Sequence, residues 1–283
     1  MTTPFEDDLY ALSTTSFDDS YGPNLQTIKN NKIDKNITLP DDFPENKNLD
    51  IKAIIWHNNT LYIAGNVGVS STVSGVSSLF NTAQSVSDSK PYVGYFDGGS
   101  FKSIDTNINE GGILTMTTHN NTLYIGGNIG DSDDDQKPYL AYLEGESFIE
   151  INININNRVI STMTTHNNTL YIGYESGNFI NDNPKPYVAY LEDDGSFKEI
   201  DTNITNGGIL SMTTHNNTLY IGGYNGVLFS DTYPKPYVEY LKNGSFIEID
   251  TNFNEGLITT MTTHNNILYI GPEMNHIYKL QNR

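Results

Sequence analysis

Four times in this chain of 283 residues, a lysine stands two positions before a tyrosine with a proline between them. An aromatic ring can cover the apolar C–H face of a sugar, while a neighbouring amine donates to hydroxyls or binds a carboxylate. We name these the Lys–Tyr pairs, and they are the candidate ligand-binding residues: Lys90 and Tyr92, Lys137 and Tyr139, Lys185 and Tyr187, and Lys235 and Tyr237. Four weak sites of this kind would act together as a multivalent lectin.

The lysines of the Lys–Tyr pairs also have a purely structural interpretation. A hairpin would bring Lys185 close to Asp201, so that the two side chains form an ion pair instead of a ligand site. Asp105 and Asp250 occupy the same place in their own copies. Both interpretations stay open at the level of sequence.

Five histidines recur at the end of the first predicted strand of each unit. They are His57, His119, His166, His215 and His264. Imidazoles arranged in a circle could bind a metal. The same Asn-Asn pair follows every one of them, however, which favours hydrogen bonds to the histidine's own hairpin or to the next unit. We therefore predict no metal site at the histidines.

The acidic stretch Gly130–Gln136 is a second candidate for metal binding, since Asp131, Asp133 and Asp135 alternate as calcium ligands do. A complete calcium loop continues with a glycine at its sixth position and a later bidentate glutamate. The stretch leads into Leu140–Tyr142 instead. We predict a solvated acidic loop, and no metal or other cofactor.

Catalytic groups usually break the symmetry of a repeat protein, because only one unit carries them. Here the histidines recur symmetrically, and single-copy polar residues are interpreted as confined to loops. No glycine-rich phosphate loop is present either. The chain is predicted not to be an enzyme, with a hydrolase or other enzyme using a single-unit site as the less favoured alternative.

The elements that must position these residues follow from an internal repeat. A Leu-Tyr pair places tyrosines at 62, 124, 171, 220 and 269, with steps of 62, 47, 49 and 49 residues. The first step is long because residues 66–89 form an insertion. One unit contains four predicted strands, Ile160–His166, Thr169–Gly173, Pro186–Leu191 and Phe197–Thr202, and its Asn167-Asn168 pair suits a tight hairpin.

Four antiparallel strands in a unit of about 49 residues match a blade of a β-propeller. The sequence therefore predicts an all-β fold, a β-propeller of six four-stranded blades that forms one domain over residues 1–283. The alternative has five blades and an N-terminal extension. In it, Ile33–Leu39 supplies the outer strand of the C-terminal unit, and residues 1–29 are an appendage.

Two sets of residues carry a resemblance to kelch-type propellers, in which Gly-Gly precedes a tyrosine and then a tryptophan. They are Gly126-Gly127 with Tyr142 and Phe148, and Gly222-Gly223 with Tyr240 and Phe246, where phenylalanine replaces the tryptophan. The chain also resembles the repeats of fungal cortical-polarity-marker proteins. Both resemblances imply a propeller, and neither implies one function.

Composition narrows the partners. The formal charge of −19, from 34 acidic and 15 basic residues, disfavours nucleic acid. No stretch approaches the roughly 18 consecutive apolar residues of a membrane helix, so no membrane insertion is predicted. Cysteine is absent and no secretory signal is visible, which predicts a cytoplasmic protein or one secreted without a cleavable signal peptide.

Variable loops on a rigid scaffold usually carry binding. The connections between second and third strands vary most, and the insertion adds apolar residues, among them Leu79 and Phe80, that are predicted to contact a partner. The leading prediction is a non-enzymatic protein-interaction scaffold that uses this loop face. The alternative is the lectin described above, so the predicted partner is a protein or a glycan.

Overall fold

The computed structural model describes residues 9–13, 24–29, 32–37, 49–67, 90–96, 101–130, 136–153, 155, 158–176, 184–227, 234–251, 253, 256–272 and 278–280. All regular secondary structure in these ranges is β-strand. Within the same ranges, no helix is long and apolar enough to cross a membrane. The insertion from residue 68 to residue 89, with Leu79 and Phe80, lies outside the described residues, as does the acidic loop 131–135.

The described strands form six antiparallel sheets, in which strands adjacent in sequence are paired. Sheet 1 contains β1 (Leu9–Ser13), β2 (Asn24–Lys29) and β3 (Lys32–Ile37); sheet 2 contains β4 (Leu49–His57), β5 (Thr60–Val67), β6 (Lys90–Phe96) and β7 (Phe101–Ile104); sheet 3 contains β8 (Gly112–His119), β9 (Thr122–Ile129), β10 (Lys137–Glu144) and β11 (Ser147–Glu150); sheet 4 contains β12 (Arg158–His166), β13 (Thr169–Ser176), β14 (Lys185–Leu191) and β15 (Phe197–Asp201); sheet 5 contains β16 (Gly207–His215), β17 (Thr218–Asn225), β18 (Lys235–Lys242) and β19 (Ser245–Glu248); sheet 6 contains β20 (Ile258–His264), β21 (Ile267–Pro272) and β22 (Tyr278–Leu280).

The strands predicted for the repeat are confirmed, with small differences at their ends. The five-blade alternative required Ile33–Leu39 to pair with the C-terminal unit. In the structure β3 pairs with β2 instead, so this strand belongs to sheet 1. The number of blades in the ring and the single domain over residues 1–283 stay predictions.

Each sheet has two distinct ends. At one end, which we name the turn end, lie the Asn-Asn hairpins and the short turns that join third and fourth strands. At the opposite end, which we name the loop end, second strands end and third strands begin, and the intervening segments 177–183 and 228–233 lie outside the described residues. Residues near either end of a strand are assigned to these two ends below.

The Asn-Asn hairpins have the backbone conformation that the sequence predicts. Both asparagines of each pair have positive φ, for example 47° and 58° at Asn167 and Asn168. Such angles at two central residues define the hairpin turn that follows the right-handed twist of its strands, and asparagine tolerates them better than other residues with a side chain.

The sheets pack face to face in chain order. The first strands β4, β8, β12, β16 and β20 contact one another in succession. Apolar residues of one sheet are buried with those of the next, as where Val188 of sheet 4 packs with Ile209 and Leu219 of sheet 5. A sheet with two apolar faces is stable only when both are covered, so this packing sets the architecture.

Histidines link sheets 2, 4 and 5 to the sheets that follow them, whereas in the described structure Nδ1 of His119 in sheet 3 has no hydrogen-bond partner. The His166 imidazole places Nε2 3.0 Å from Nδ2 of Asn167 and Nδ1 3.4 Å from Oγ1 of Thr214 in sheet 5. The Thr214 hydroxyl in turn donates to the carbonyl of Thr165 at 3.2 Å. We name this set the His–Thr clasp. It recurs between His57 and Thr118 at 3.2 Å and between His215 and Thr263 at 3.4 Å.

The predicted hydrogen bonding of the histidines to their own hairpins and to the next unit is thus confirmed. Burial lowers the pKa of His57, His119 and His166. Since the folded state favours the neutral imidazole, these residues stabilise the fold above pH 6.5, and that contribution is lost as the pH falls below it.

Replacement of Asn217, whose φ is 58°, tests the turn geometry. Alanine at this positive φ should lower the free energy of unfolding by about 1–2 kcal/mol, because its Cβ meets the following carbonyl. Asn217→Gly is the matched control, and it should leave stability nearly unchanged. Urea unfolding measures both variants, and equal losses in the two would contradict the turn assignment.

Replacement of His166 by glutamine tests the His–Thr clasp. The variant should lose about 1 kcal/mol at pH 7.5, and the gap to the wild type should narrow as the pH falls from 6.5 to 5, because glutamine does not titrate. Urea unfolding across this range measures the gap. The control is His264→Gln, which changes the same motif where the histidine is exposed. A gap that stays constant with pH counts against a neutral, buried His166.

Candidate active site at the junction of sheets 4 and 5

The four Lys–Tyr pairs differ in exposure. Tyr139 and Tyr237 are 1% and 2% exposed, and their hydroxyls donate to the carbonyls of Thr106 at 2.6 Å and Gly208 at 3.2 Å. Tyr92 and Tyr187 are partly exposed. The pairs therefore do not form four equivalent surfaces, although all four lysines start their strands at the loop end.

Lys185 contacts both Asp201, as the structural interpretation of the Lys–Tyr pairs predicts, and the ring of Tyr187 in its own pair. Its Nζ lies 3.6 Å from Oδ1 of Asp201, as expected for the ion pair. The same nitrogen lies 4.8 Å from the centroid of the Tyr187 ring. A cation above an aromatic ring is attracted to the ring face. The lysine is thus held between a carboxylate and a ring at the loop end of sheet 4.

Tyr187 differs from its equivalents because its cross-strand neighbour is Tyr174. The two rings are stacked, with centroids 5.6 Å apart and planes inclined by 10°. Glycines stand opposite Tyr139 and Tyr237 in the other sheets. The Tyr174 hydroxyl donates to Oε1 of Glu199 at 2.5 Å. Sheet 4 therefore carries an aromatic pair that the neighbouring sheets lack.

Two buried glutamates break the repeat. Glu175 of β13 stands where sheets 2 and 3 have Asn66 and Asn128, and it is 3% exposed. Glu239 of β18 is fully buried and stands where the other units have glycine or alanine. The small residues at the latter position are Gly94, Ala141 and Ala189. The fold itself thus does not need a carboxyl at either position.

Both glutamates belong to the junction of sheets 4 and 5. Glu175 approaches Gly208 of β16 so closely that a Cβ on Gly208 would overlap its Oε1. The same Cβ would meet the ring of Tyr224. Gly208 thus leaves the space that Glu175 occupies. Tyr237 lies within electrostatic range of both carboxyls and connects Glu175 to Glu239.

Burial shifts the pKa of both carboxyls upward, by different amounts. Burial raises the pKa of Glu239 to about 7, with hydrogen bonds from Asn203 acting in the opposite direction. Burial raises the pKa of Glu175 well above its ordinary value, and only the backbone of Ile209 opposes this. Among the described residues, no ion pair involves either carboxyl. Burial thus favours the neutral form of both carboxyls, and at pH 7 Glu239 is divided between its two forms.

The adjacent tyrosines also stay protonated. Burial raises the pKa of Tyr224, and the charge of Glu175 raises it further. Burial likewise raises the pKa of Tyr237, with Glu239 and Glu175 adding to the shift. Neither phenol is a phenolate nucleophile at ordinary pH, so each can only donate or accept a hydrogen bond.

Two carboxyls whose pKa values are driven apart can divide acid and base roles. A protonated Glu175 can donate a proton, and Glu239 can accept one once it is ionised above pH 7. We name Glu175 and Glu239 the acid pair. Among the described residues, the acid pair is the strongest candidate for catalysis, because carboxyls with strongly shifted pKa values cluster at functional sites.

Sequence reasoning missed the acid pair. The candidate residues were those that recur in each unit, and single-copy polar residues were expected to lie in loops. Glu175 and Glu239 are single-copy residues inside strands. The available signal was the departure from the repeat itself, a carboxyl at positions where other units have a small or neutral side chain.

The sequence matches no family description and no curated protein. The structure is similar to solved propeller-type enzymes. It matches Trypanosoma rangeli sialidase in complex with sialic acid with a TM-score of 0.61 and 11% identity, covering 97% of this chain and 51% of the sialidase. It matches phage phi92 endosialidase with a TM-score of 0.58 and 11% identity, covering 94% of this chain and 60% of that one.

A third similar structure is virginiamycin B lyase from Staphylococcus aureus, with a TM-score of 0.53, 10% identity and coverage of 90% and 87% of the two chains. The chain spans about half the length of the trypanosomal sialidase. At these identities the likeness establishes the fold alone.

These neighbours correct two predictions. The prediction of a non-enzymatic protein-interaction scaffold, and the prediction that the chain is not an enzyme, are contradicted because the similar structures are a sialidase, an endosialidase and a lyase. The argument behind both failed at Glu175 and Glu239. No kelch-type protein is among these neighbours, so that resemblance stays a prediction. What is confirmed is the fold class: the chain is all-β, with antiparallel sheets of the β-propeller type.

Proposed function

We propose that this chain is a glycan-acting enzyme of the class that hydrolyses glycosidic bonds, with its active site at the acid pair. The observation that carries the proposal is the burial, in one inter-sheet junction, of two single-copy carboxyls with unequal upward pKa shifts. Most glycoside hydrolases use two such carboxyl groups, one as an acid and one as a base or nucleophile.

The proposed roles use both carboxyls. Glu175, whose neutral form is favoured by burial, donates its proton to the oxygen of the leaving group as the glycosidic bond breaks. Glu239, ionised above about pH 7, either activates a water molecule or attacks the sugar carbon itself. The raised pKa values of Tyr224 and Tyr237 suit them to orient a sugar through neutral hydrogen bonds.

The cost of burying the acid pair supports a functional role. A carboxyl without an ionic partner destabilises a core, and the residues at the equivalent positions show that the fold can do without it. Active sites commonly retain residues that reduce stability in this way. The names of the similar structures, sialidase and endosialidase, support glycans as the substrate class, at 11% identity.

Among the Lys–Tyr pairs, Lys185 and Tyr187 are proposed to contact the substrate. In the pairing of β13 with β14, Glu175 stands opposite Pro186, so Lys185 and Tyr187 project from the other face of sheet 4, at its loop end. Tyr187 is partly exposed and the Lys185 side chain is 37% exposed, so a glycan that extends beyond the acid pair can reach both. Tyr237 of the Lys235 pair is buried beside the acid pair, and the pairs at Lys90 and Lys137 lie in sheets 2 and 3.

The activity test uses variants that restore residues found in other units. Glu239→Ala and Glu175→Asn should each fold and should each lower hydrolysis by about 10²- to 10⁴-fold, because a positioned acid or base contributes that much. The assay is fluorophore release from a panel of aryl glycosides that includes an aryl sialoside. Glu144→Gln, an exposed carboxyl in β10, is the control and should retain full activity. No hydrolysis by the wild type, or unchanged rates in both variants, would contradict the proposal.

The stability test uses Glu239→Gln. A raised folded pKa means that the wild type is penalised as the pH rises from 4.5 through about 7. The glutamine variant should therefore gain up to about 3 kcal/mol over the wild type at pH 8, and the gain should shrink toward pH 5. Urea unfolding at both pH values measures it. A gain independent of pH would show that Glu239 is not held in its neutral form.

A further inference from the structure

A second repeated feature lies near the turn end of the sheets, and in sheet 5 it includes Tyr240, which follows Glu239 and projects from the other face of the strand. In sheets 2 to 5, a tyrosine of the second strand stands opposite a tyrosine of the third strand, which stands opposite a residue of the fourth. We name these sets the Tyr rows. They are Tyr62, Tyr95 and Lys102; Tyr124, Tyr142 and Ile149; Tyr171, Tyr190 and Lys198; and Tyr220, Tyr240 and Ile247.

The geometry of the Tyr rows is nearly constant. The two ring centroids of a row are 5.7 to 6.2 Å apart, and the ring planes are inclined by 35° to 41°. Directly opposite residues on paired strands share one face of a sheet. Each row is therefore a continuous aromatic strip that ends at the outer strand.

Exposure is greatest at the outer end of each Tyr row. The inner tyrosine packs against the apolar cluster shared with the following sheet, as Tyr171 does with the cluster around Ile209. The outer tyrosines are partly exposed and pack against none of the four described clusters. The last residue is exposed, by 38% at Ile149 and 39% at Ile247. The core thus uses the inner rings and leaves the outer ones for contact with a ligand.

The chemistry of the Tyr rows selects a neutral sugar. A phenol offers an apolar face for C–H groups and a hydroxyl that can donate or accept. Burial and the adjacent phenol raise the pKa of Tyr62, Tyr124, Tyr171 and Tyr220, so these hydroxyls keep their protons. No row contains a carboxylate, and its last residue alternates between lysine and isoleucine. A polyanion would be repelled by the overall charge of −19.

We infer that the four Tyr rows are accessory binding sites that hold a neutral polysaccharide while the acid pair acts on it. The ligand class rests on the proposed function, whereas the residues are independent of it. Four like sites match the repeating structure of a polysaccharide, and linked weak sites gain about 10²- to 10⁴-fold in overall affinity.

Binding is tested on the full chain carrying Glu239→Ala, so that bound glycan is not consumed. The probes are dextran, galactomannan, xyloglucan and mixed-linkage β-glucan in affinity gel electrophoresis, with alginate as the polyanion. At least one neutral polymer should retard the protein, and alginate should not. Alanine at all four outer tyrosines (Tyr95, Tyr142, Tyr190 and Tyr240) should weaken retardation by about 100-fold or more.

Single variants keep the test decisive if the fourfold variant does not fold. Tyr190→Ala should weaken binding several-fold, whereas Tyr190→Phe, which keeps the ring, should retain most of it. Lys242→Ala, an exposed change in sheet 5 that lies outside the Tyr rows, is the control. Thermal unfolding followed by circular dichroism verifies the fold of each variant.

Two outcomes overturn the inference: no neutral polymer retards the protein, or folded row variants bind as well as their parent. Aryl-glycoside hydrolysis separates this result from the proposed function. Tyr95→Ala and Tyr142→Ala, each with Glu239 intact, should hydrolyse small substrates at the wild-type rate, because these tyrosines lie in sheets 2 and 3 whereas the acid pair lies in sheets 4 and 5. Absence of hydrolysis in the wild type would contradict the proposed function and leave the polysaccharide measurement valid.

Discussion

The structure depends on the face-to-face burial of its sheets. Each sheet presents apolar side chains on both faces, and no single unit of about 49 residues can cover them alone. The repeat places the same small set of residues at the same register in its units. As a result, the first strands β4, β8, β12, β16 and β20 pack against one another in succession. Since the packing is met by repetition, any residue that departs from the repeat inside a strand is conspicuous, because the packing does not require it.

Three departures from the repeat lie within strands of sheets 4 and 5. Tyr174, Glu175 and Glu239 replace glycine, asparagine or alanine within strands whose neighbours keep the common residues. Two of these changes bury ionisable groups at an energetic cost, and the third adds a ring that stacks on Tyr187. Repetition therefore describes the scaffold, and departure from the repeat marks the candidate site.

Much of the scaffold could be predicted from the sequence, because it follows from short-range rules. Asn167 and Asn168 predict a hairpin by their tolerance of positive φ, and alternating residues predict the strands. The bonding of His166 could be predicted because the histidine and its asparagine are adjacent. Exposure could not, since Tyr139 and Tyr187 occupy the same position in their units yet differ in burial through a cross-strand neighbour. The acid pair could not be predicted either. Its two carboxyls are 64 residues apart in sequence, and only the packing of two sheets brings them to one junction.

The His–Thr clasp has a direction along the chain: His57, His166 and His215 each contact a threonine of the following sheet. One unit therefore carries both the histidine that contacts the following unit and the threonine that contacts the preceding one. A tandem copy of the unit would arrive with both halves already matched to its neighbours, so the array can be extended by gene duplication without inventing a new interface. Divergence can then act on single copies, which is where Glu175 and Glu239 are found.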